Sequence, residues 1–373
     1  MHLSIHVFRI IFLKNMLNIL RNNILLLCAV LTQATVLAQN TAHRVTENRT
    51  LQPYTNTYNA HWEARRSPGG MMLVGRADSL RVLAPFSGSA TGGKWYAEAV
   101  NAYKEALGKS VNVYCMVIPN STAYYTPDAG KDMTREQRNT VNHIYANLRN
   151  DVQAVDVYTP LAAHVAEPIF LRTDTHWGAL AAYYAAAHFA AQVGVPFKKL
   201  EGNYSRHEVK NFVGSMRIYA KSPEVKASPE TFVYYKPKGV DYEATFIKYT
   251  VKNGKTVSES EPTVSNFFYH YSDGNGAAYC TFMGGDTRTV QVRTSTKNGR
   301  RLMILKDSFG NALPSFLFFS FEEIHVVDFR YFPHNIVEYA RNNKITDVLF
   351  ANNISHAYAP STARTYQIML TRE

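Results

Sequence analysis

Two short stretches of this chain carry the residue types needed to make a nucleophile. Thr173-Asp174-Thr175-His176-Trp177 sets a carboxylate and an imidazole two positions apart, in a loop entering a helix. Far downstream, Lys306-Asp307-Ser308-Phe309-Gly310 sets a serine on a tight turn directly after the apolar run Leu302-Met303-Ile304-Leu305. A serine hydroxyl is a poor nucleophile at neutral pH. It needs a neutral imidazole to accept its proton and a carboxylate to hold that ring in the right tautomer. Asp174, His176 and Ser308 supply those parts. The amides opening the helix expected after Ser308, with Phe309 and Gly310 nearest, could donate to an oxyanion. Plainer readings exist: Asp307 and Ser308 are both good helix caps, and most of the 13 histidines must serve surface or packing roles. Position favours chemistry, because the Asp174-Thr175 turn can bring the carboxylate to the ring and Trp177 can wall the site with apolar surface. No His-x-x-x-His or Cys-x-x-Cys pair lies nearby, and His164 and His188 fall on separate expected helices, so neither metal nor cofactor is expected.

The elements that must position these residues alternate. Periodicity predicts a helix over 94–109, a strand over 111–118 stopped by Pro119, a helix over 134–150 and a strand over 152–157. A short helical piece, 160–167, precedes the extended Ile169-Phe170-Leu171. The alanine-rich stretch 177–193 reads as a well-packed helix ended by Gly194 and Pro196. From about 200 to 300 the texture changes to Tyr, Phe, Thr and Val runs broken by Gly, Asn and Asp, which predicts a β-rich insertion. Alternation then resumes with strand 302–305, helix 311–319, strand 323–328, helix 335–342 and strand 347–351. Such alternation implies an α/β fold, a parallel sheet wrapped by helices. Ser308 would sit where those sheets place chemistry, on the loop leaving the carboxyl end of a strand.

With 373 residues, 46% apolar and 18% charged, the chain has the composition of a folded soluble protein. Arg9, Lys14 and Arg21 precede an apolar run, 24–30, that fades into Thr35-Val36-Leu37-Ala38-Gln39. Residues 1–38 are thus expected to be a secretory signal peptide cut after Ala38, with Met16 an alternative start of more usual signal proportions. No later segment approaches roughly 18 uninterrupted apolar residues. The expected address is periplasmic, secreted or cell-surface, with no permanent membrane span. Cys28 lies inside the signal without a small residue before it, which disfavours a lipoprotein. Cys115 and Cys280 could pair, although Cys115 sits in an apolar run and reads more naturally as a buried thiol. Residues 39–70 are polar without a period and predict an irregular lead-in, with order beginning near Met71 and one domain spanning 71–373. Signal removal leaves 37 basic against 29 acidic side chains. The basic residues are scattered and no nucleic-acid signature appears, so nucleic acid is excluded as a partner. Acidic polysaccharide or an anionic membrane surface suits the charge, as does ordinary solubility.

The motifs together resemble a known family. Thr173-Asp174-Thr175-His176-Trp177 with its alanine-rich helix, Gly284-Gly285-Asp286, the serine turn and Val327-Asp328-Phe329-Arg330-Tyr331-Phe332 look like the DHHW proteins and the related alginate O-acetylation proteins. These are a branch of the SGNH hydrolase superfamily in which the Asp-x-His element precedes the serine. The resemblance covers about residues 70–373. It implies an SGNH-hydrolase-like, flavodoxin-like three-layer sandwich with a parallel sheet. It makes Asp174 the orienting acid, His176 the general base and Ser308 the nucleophile, with Arg330 in the oxyanion or substrate site. A plain ion pair between Arg330 and Asp328 is the alternative. Thr175 stands where the name-giving motif has a second histidine, and Lys306 where ordinary SGNH enzymes have glycine. Asn352 or Asn353, at a strand end, could take the place of the superfamily's oxyanion asparagine.

Tyr124, Tyr125, Tyr331 and Phe332 fall in loops after strands and could stack on sugars or pack the core. The resulting expectation is an exported O-acetyltransferase or acetylesterase acting on polysaccharide through an acyl-enzyme. Its acyl donor could include a membrane acyl-transfer partner. The rival expectation is a non-catalytic glycan- or protein-binding module on the same fold.

Overall fold

The structure, a computed structural model, describes residues 49–372. The expected signal peptide, with Met16 and Cys28, lies outside the described residues. The chain then forms a small antiparallel sheet of β1 (Ala64–Arg66), β2 (Met72–Val74) and β3 (Arg81–Leu83). Order therefore begins before Met71. Arg49 already donates to the carbonyls of Leu148 and Arg149, and the buried Asn59 amide donates to Tyr125 O at 3.0 Å.

Helix α1 (Lys94–Leu107) leads into β4 (Asn112–Ile118), and α2 (Gln137–Ala146) into β5 (Val152–Ala154). Helix α3 (Ala179–Val193) ends as its sequence predicts, with Gly194 in the left-handed region and its amide on Ala190 O. A hairpin of β6 (Tyr204–Phe212) and β7 (Glu230–Pro237) follows. Next come β8 (Tyr242–Lys252), β9 (Lys255–Glu259), β10 (Thr263–Ser265) and β11 (Arg288–Thr294). The chain closes with β12 (Arg301–Lys306), β13 (Glu323–Asp328), α4 (Ile336–Asn342), β14 (Asp347–Asn353) and α5 (Pro360–Thr371).

The main sheet runs β10-β8-β11-β13-β12-β14-β4-β5, with β9 also paired to β8. From β13 to β5 all neighbours are parallel. Their strands are buried almost end to end, as parallel strands covered on both faces must be. Counted from β12, the strand that carries Ser308, these five run 2-1-3-4-5, the flavodoxin-like order. The chain enters that order at its fourth strand, and so the loop of Asp174 and His176 precedes that of Ser308.

Register shows how the faces are covered. Tyr114 pairs with Leu349 and Cys115 with Phe350, so Tyr114 and Phe350 point to opposite faces. Phe189 of α3 packs on Tyr114 with ring centroids 5.2 Å apart, while Tyr103 of α1 and Tyr366 of α5 pack on Phe350 at 5.0 Å each.

Two expectations need correction. The 200–300 stretch is not a separate insertion throughout: β8 and β11 extend the main sheet antiparallel from β13, covering an edge that would otherwise expose unpaired backbone groups. The helix expected over 311–319 is two short 3₁₀ turns, Ser308–Ala312 and Pro314–Phe316. Pro314 lacks the amide an α-helical ladder would need there. Cys115 and Cys280 are both free thiols, Cys115 fully buried in β4.

Candidate active site

β12 delivers Ser308 to the carboxyl edge of the sheet, beside the end of β14. The turn is built around Asp307, which is fully buried. Its Oδ1 accepts from the Phe309 amide at 2.9 Å, its carbonyl from the Gly310 amide at 3.0 Å, and its Oδ2 from the Asn353 amide at 2.7 Å. These bonds tie the ends of β12 and β14 together. Position 310 admits only glycine, because a Cβ there would lie 2.4 Å from Lys306 Cβ.

Asp174 and His176 sit on a loop pinched shut by the antiparallel bridge between Phe170 and Trp177. Glu230, at the start of β7, holds this loop by accepting from the amides of Arg172 at 2.9 Å and Thr173 at 2.7 Å, and from the Thr173 hydroxyl at 2.6 Å. Asp174 is clamped in turn: Oδ1 accepts from the His176 amide at 3.0 Å, and Oδ2 from the Ser215 amide at 2.7 Å.

The two loops meet. His176 Nδ1 lies 2.5 Å from Asp174 Oδ1, and His176 Nε2 lies 2.8 Å from Ser308 Oγ. With Nδ1–H donated to the carboxylate, Nε2 is left as the acceptor of the serine proton. Burial alone would push the Asp174 carboxyl up. The charge and hydrogen bond of His176, with the Ser215 and His176 amides, instead hold it well below the usual carboxylate range. The acid therefore stays ionised and the ring stays oriented. Gly214 packs against this carboxylate, where an added Cβ would fall 2.4 Å from Asp174 Cβ and Oδ2. Gly214→Ala is expected to displace Asp174 and slow sulfonyl fluoride labelling of Ser308 by about 100-fold, the effect of shifting a reacting group by roughly an ångström. Labelling at the wild-type rate would show that the clamp tolerates the extra methyl.

The expected oxyanion donors are not free. The Phe309 and Gly310 amides are both consumed by Asp307. Asn352 is fully buried, its carbonyl accepting from the hydroxyls of Tyr96 at 2.7 Å and Tyr366 at 2.8 Å. Its amide nitrogen points to Asp307 at 3.4 Å, and the Asn353 side chain is spent on Ile118 and Asn120. Arg330 follows its plainer reading, with Nε and Nη2 on Asp328 at 2.8 and 2.6 Å and Nη2 also 3.0 Å from Asp286. The Ser308 amide makes no hydrogen bond among the described residues.

Lys306 explains its own presence. It is buried, with Nζ 2.8 Å from Asp328 and 3.3 Å from Asp286, while Asn311 Nδ2 holds Asp286 at 2.7 Å. Burial opposes ionisation of Asp286, but the charges of Lys306 and Arg330 outweigh it and hold this carboxyl far below its ordinary range. A depressed folded-state pKa contributes stability above the unfolded value, about 3.9 for Asp, and that contribution fades as pH falls below it. Asp286→Asn should therefore lower the thermal midpoint near neutrality, and the gap to wild type should shrink as buffers are taken toward about pH 3. A gap that is constant with pH would mean the charge of Asp286 contributes nothing.

Of the loop aromatics, Tyr124, Tyr125 and Phe332 are core residues, and only Tyr331 is part-exposed. Several residues that shape the site carry no local signal in the sequence. Glu230, Gly214 and Ser215 reach the acid loop from tens of residues away. Tyr279 stacks flat on His176, ring centroids 3.9 Å apart and planes 5° from parallel. Trp177 does more than wall the site, since its Nε1 donates to Phe309 O at 2.8 Å. Among the described residues, no three His, Cys, Asp or Glu side chains gather as a metal site.

A family model described as DHHW protein matches residues 45–327. Among solved structures, a DHHW family protein from Eubacterium siraeum is similar over 82% of this chain and 97% of its own, at 36% identity and a TM-score of 0.73. Bacillus cereus PatB1 with a sulfonyl adduct is similar over 80% of this chain and 96% of its own, at 19% identity and a TM-score of 0.59, a likeness of fold. No curated protein matches the chain.

Proposed function

This chain belongs to the DHHW family, and on that premise we propose that it is an exported serine-dependent acyl-transfer enzyme working on O-acetyl groups of polysaccharide. One observation carries the reading: the continuous hydrogen-bonded line from Asp174 through His176 to Ser308, at 2.5 and 2.8 Å. Strand order counted from β12 supports an SGNH-hydrolase type of α/β sandwich, and the pattern at 1–38 supports export. No helix among the described residues is long and apolar enough to cross a membrane.

Ser308 Oγ attacks the acyl carbonyl of the donor while His176 Nε2 takes the hydroxyl proton, and ionised Asp174 stabilises the imidazolium. The Ser308 amide, which makes no hydrogen bond among the described residues, is the backbone donor this reading assigns to the developing oxyanion. Collapse expels the leaving alkoxide, which takes the proton from His176, and leaves an ester on Ser308. A sugar hydroxyl then attacks the acyl carbon while the same imidazole takes its proton, the bond to Ser308 Oγ breaks, and the released serine oxygen takes that proton back from His176. Water in its place would make the protein an esterase, and the resemblance to alginate O-acetylation proteins favours transfer.

The test is to incubate the mature protein with a chromogenic acetyl ester and follow both turnover and intact mass. Wild type should turn over and carry an acetyl adduct on Ser308, and a sulfonyl fluoride, chosen because PatB1 has been solved with a sulfonyl adduct, should block both. Equal background in wild type and Ser308→Ala, with no adduct in either, would leave a non-catalytic glycan- or protein-binding module.

A further inference from the structure

We propose that Tyr279 is a positioning residue that locks the general base to the nucleophile turn, its ring holding the His176 plane and its hydroxyl holding the backbone of Ser308 and Phe309. The proposal rests on the acyl-transfer reading of the same site. His176 arrives on the loop after β5 and Ser308 on the loop after β12. Their 2.8 Å contact survives only if these two loops keep a fixed relation.

Tyr279 touches both. Its ring lies against the imidazole at 3.9 Å, tilted by 5°. Its hydroxyl donates to Ser308 O at 3.0 Å and Phe309 O at 3.1 Å. The residue is 5% exposed and is braced edge-on by Phe232 at 6.3 Å and Phe282 at 5.7 Å. It cannot swing away without opening the core of the β6–β7 hairpin.

Two physical effects follow. A flat stack on one face, with Phe309 tilted at 5.2 Å as a second aromatic neighbour, removes the ring-flip freedom that would carry Nε2 off the serine. The electron-rich face of the phenol also favours a cation above it, so the stack is worth more when His176 becomes imidazolium than when it is neutral. Such an interaction lowers the barrier without tightening substrate binding. Burial pushes the Tyr279 phenol well above its ordinary range, so the hydroxyl remains a donor to the two carbonyls. The segment between β10 and β11 thereby acquires a role, which is to deliver this one ring to the triad.

Two variants separate the ring from the hydroxyl. Tyr279→Phe keeps the stack and loses the one hydroxyl proton shared between the two carbonyls, so kcat on the acetyl ester should fall about fivefold to tenfold with KM unchanged. Tyr279→Leu loses both, and kcat should fall about 100-fold with KM within about twofold. If the Leu variant fails to fold, Tyr279→Met replaces it. Proton NMR supplies a readout that needs no turnover: the low-field resonance of the His176 Nδ1 proton held against Asp174 should persist in the Phe variant and broaden or vanish in the aliphatic one. A folded aliphatic variant that keeps both this resonance and wild-type kcat overturns the proposal, as does a change confined to KM. Should wild type show the resonance but no ester turnover, the acyl-transfer reading fails while the NMR comparison still decides what Tyr279 does.

Discussion

Ser308→Ala is expected to lower kcat on a chromogenic acetyl ester by on the order of 10⁵- to 10⁶-fold, the scale seen when the nucleophile of such a triad is removed. Among the described residues the hydroxyl has one partner, His176 Nε2, so its deletion leaves the Asp307 cap and the bonds between β12 and β14 in place. The thermal midpoint should therefore hardly move. His176→Ala should cost a similar factor, because a serine without a base is a neutral alcohol in front of an ester. The double variant should be no slower than either single one, since the second deletion removes a group that the first had already left idle. Additive losses would mean that the two side chains act separately and that the line between them is not the reaction path. The measurement is steady-state turnover, backed by intact mass to exclude wild-type contamination.

Asp174→Asn should reduce kcat by roughly 10⁴-fold, again with the fold preserved. The carboxylate accepts from His176 Nδ1, the His176 amide and the Ser215 amide. Asparagine can still accept through one oxygen, but its amide nitrogen donates. Turned toward Nδ1, that nitrogen forces the proton onto Nε2, which then faces Ser308 as a donor and cannot act as a base. Turned the other way, it meets the Ser215 amide, donor against donor, in a site with 4% of the acid side chain exposed. Ser308 labelling by a sulfonyl fluoride reports the same loss without a natural substrate. Labelling at even a tenth of the wild-type rate would show that His176 is oriented by something other than the acid. Tyr279 would be the first place to look.

Much of the candidate site could be read from the chain because its members announce themselves locally. An apolar run followed by Asp307-Ser308-Phe309-Gly310 reads as a strand ending in a sharp turn, and Asp174-Thr175-His176 reads as an acid and a base in one loop. The donors around the triad were not legible in the same way. Phe309, Gly310 and Asn352 look like free amides in the sequence, yet Asp307 takes the two backbone groups and two tyrosine hydroxyls take the Asn352 carbonyl. Arg330 looks like a substrate cation, yet Asp328 and Asp286 hold it. A hydrogen-bonding group is available to a substrate only if nothing in the fold has claimed it, and the claimants here come from other strands.

By itself the sequence determined the strands, the turns and the chemical types at the carboxyl edge of the sheet. Hydrophobic period, glycine and proline punctuation and capping are all settled within a few residues along the backbone. It also determined the family, through motifs that are themselves short. Only the tertiary structure decided that the chain enters a flavodoxin-like order at its fourth strand, that Glu230, Ser215 and Tyr279 converge on one loop, and which donors remain unspent. Those outcomes depend on the burial and pairing of groups far apart in the chain, set by how the sheet and its layers pack together rather than by any local preference.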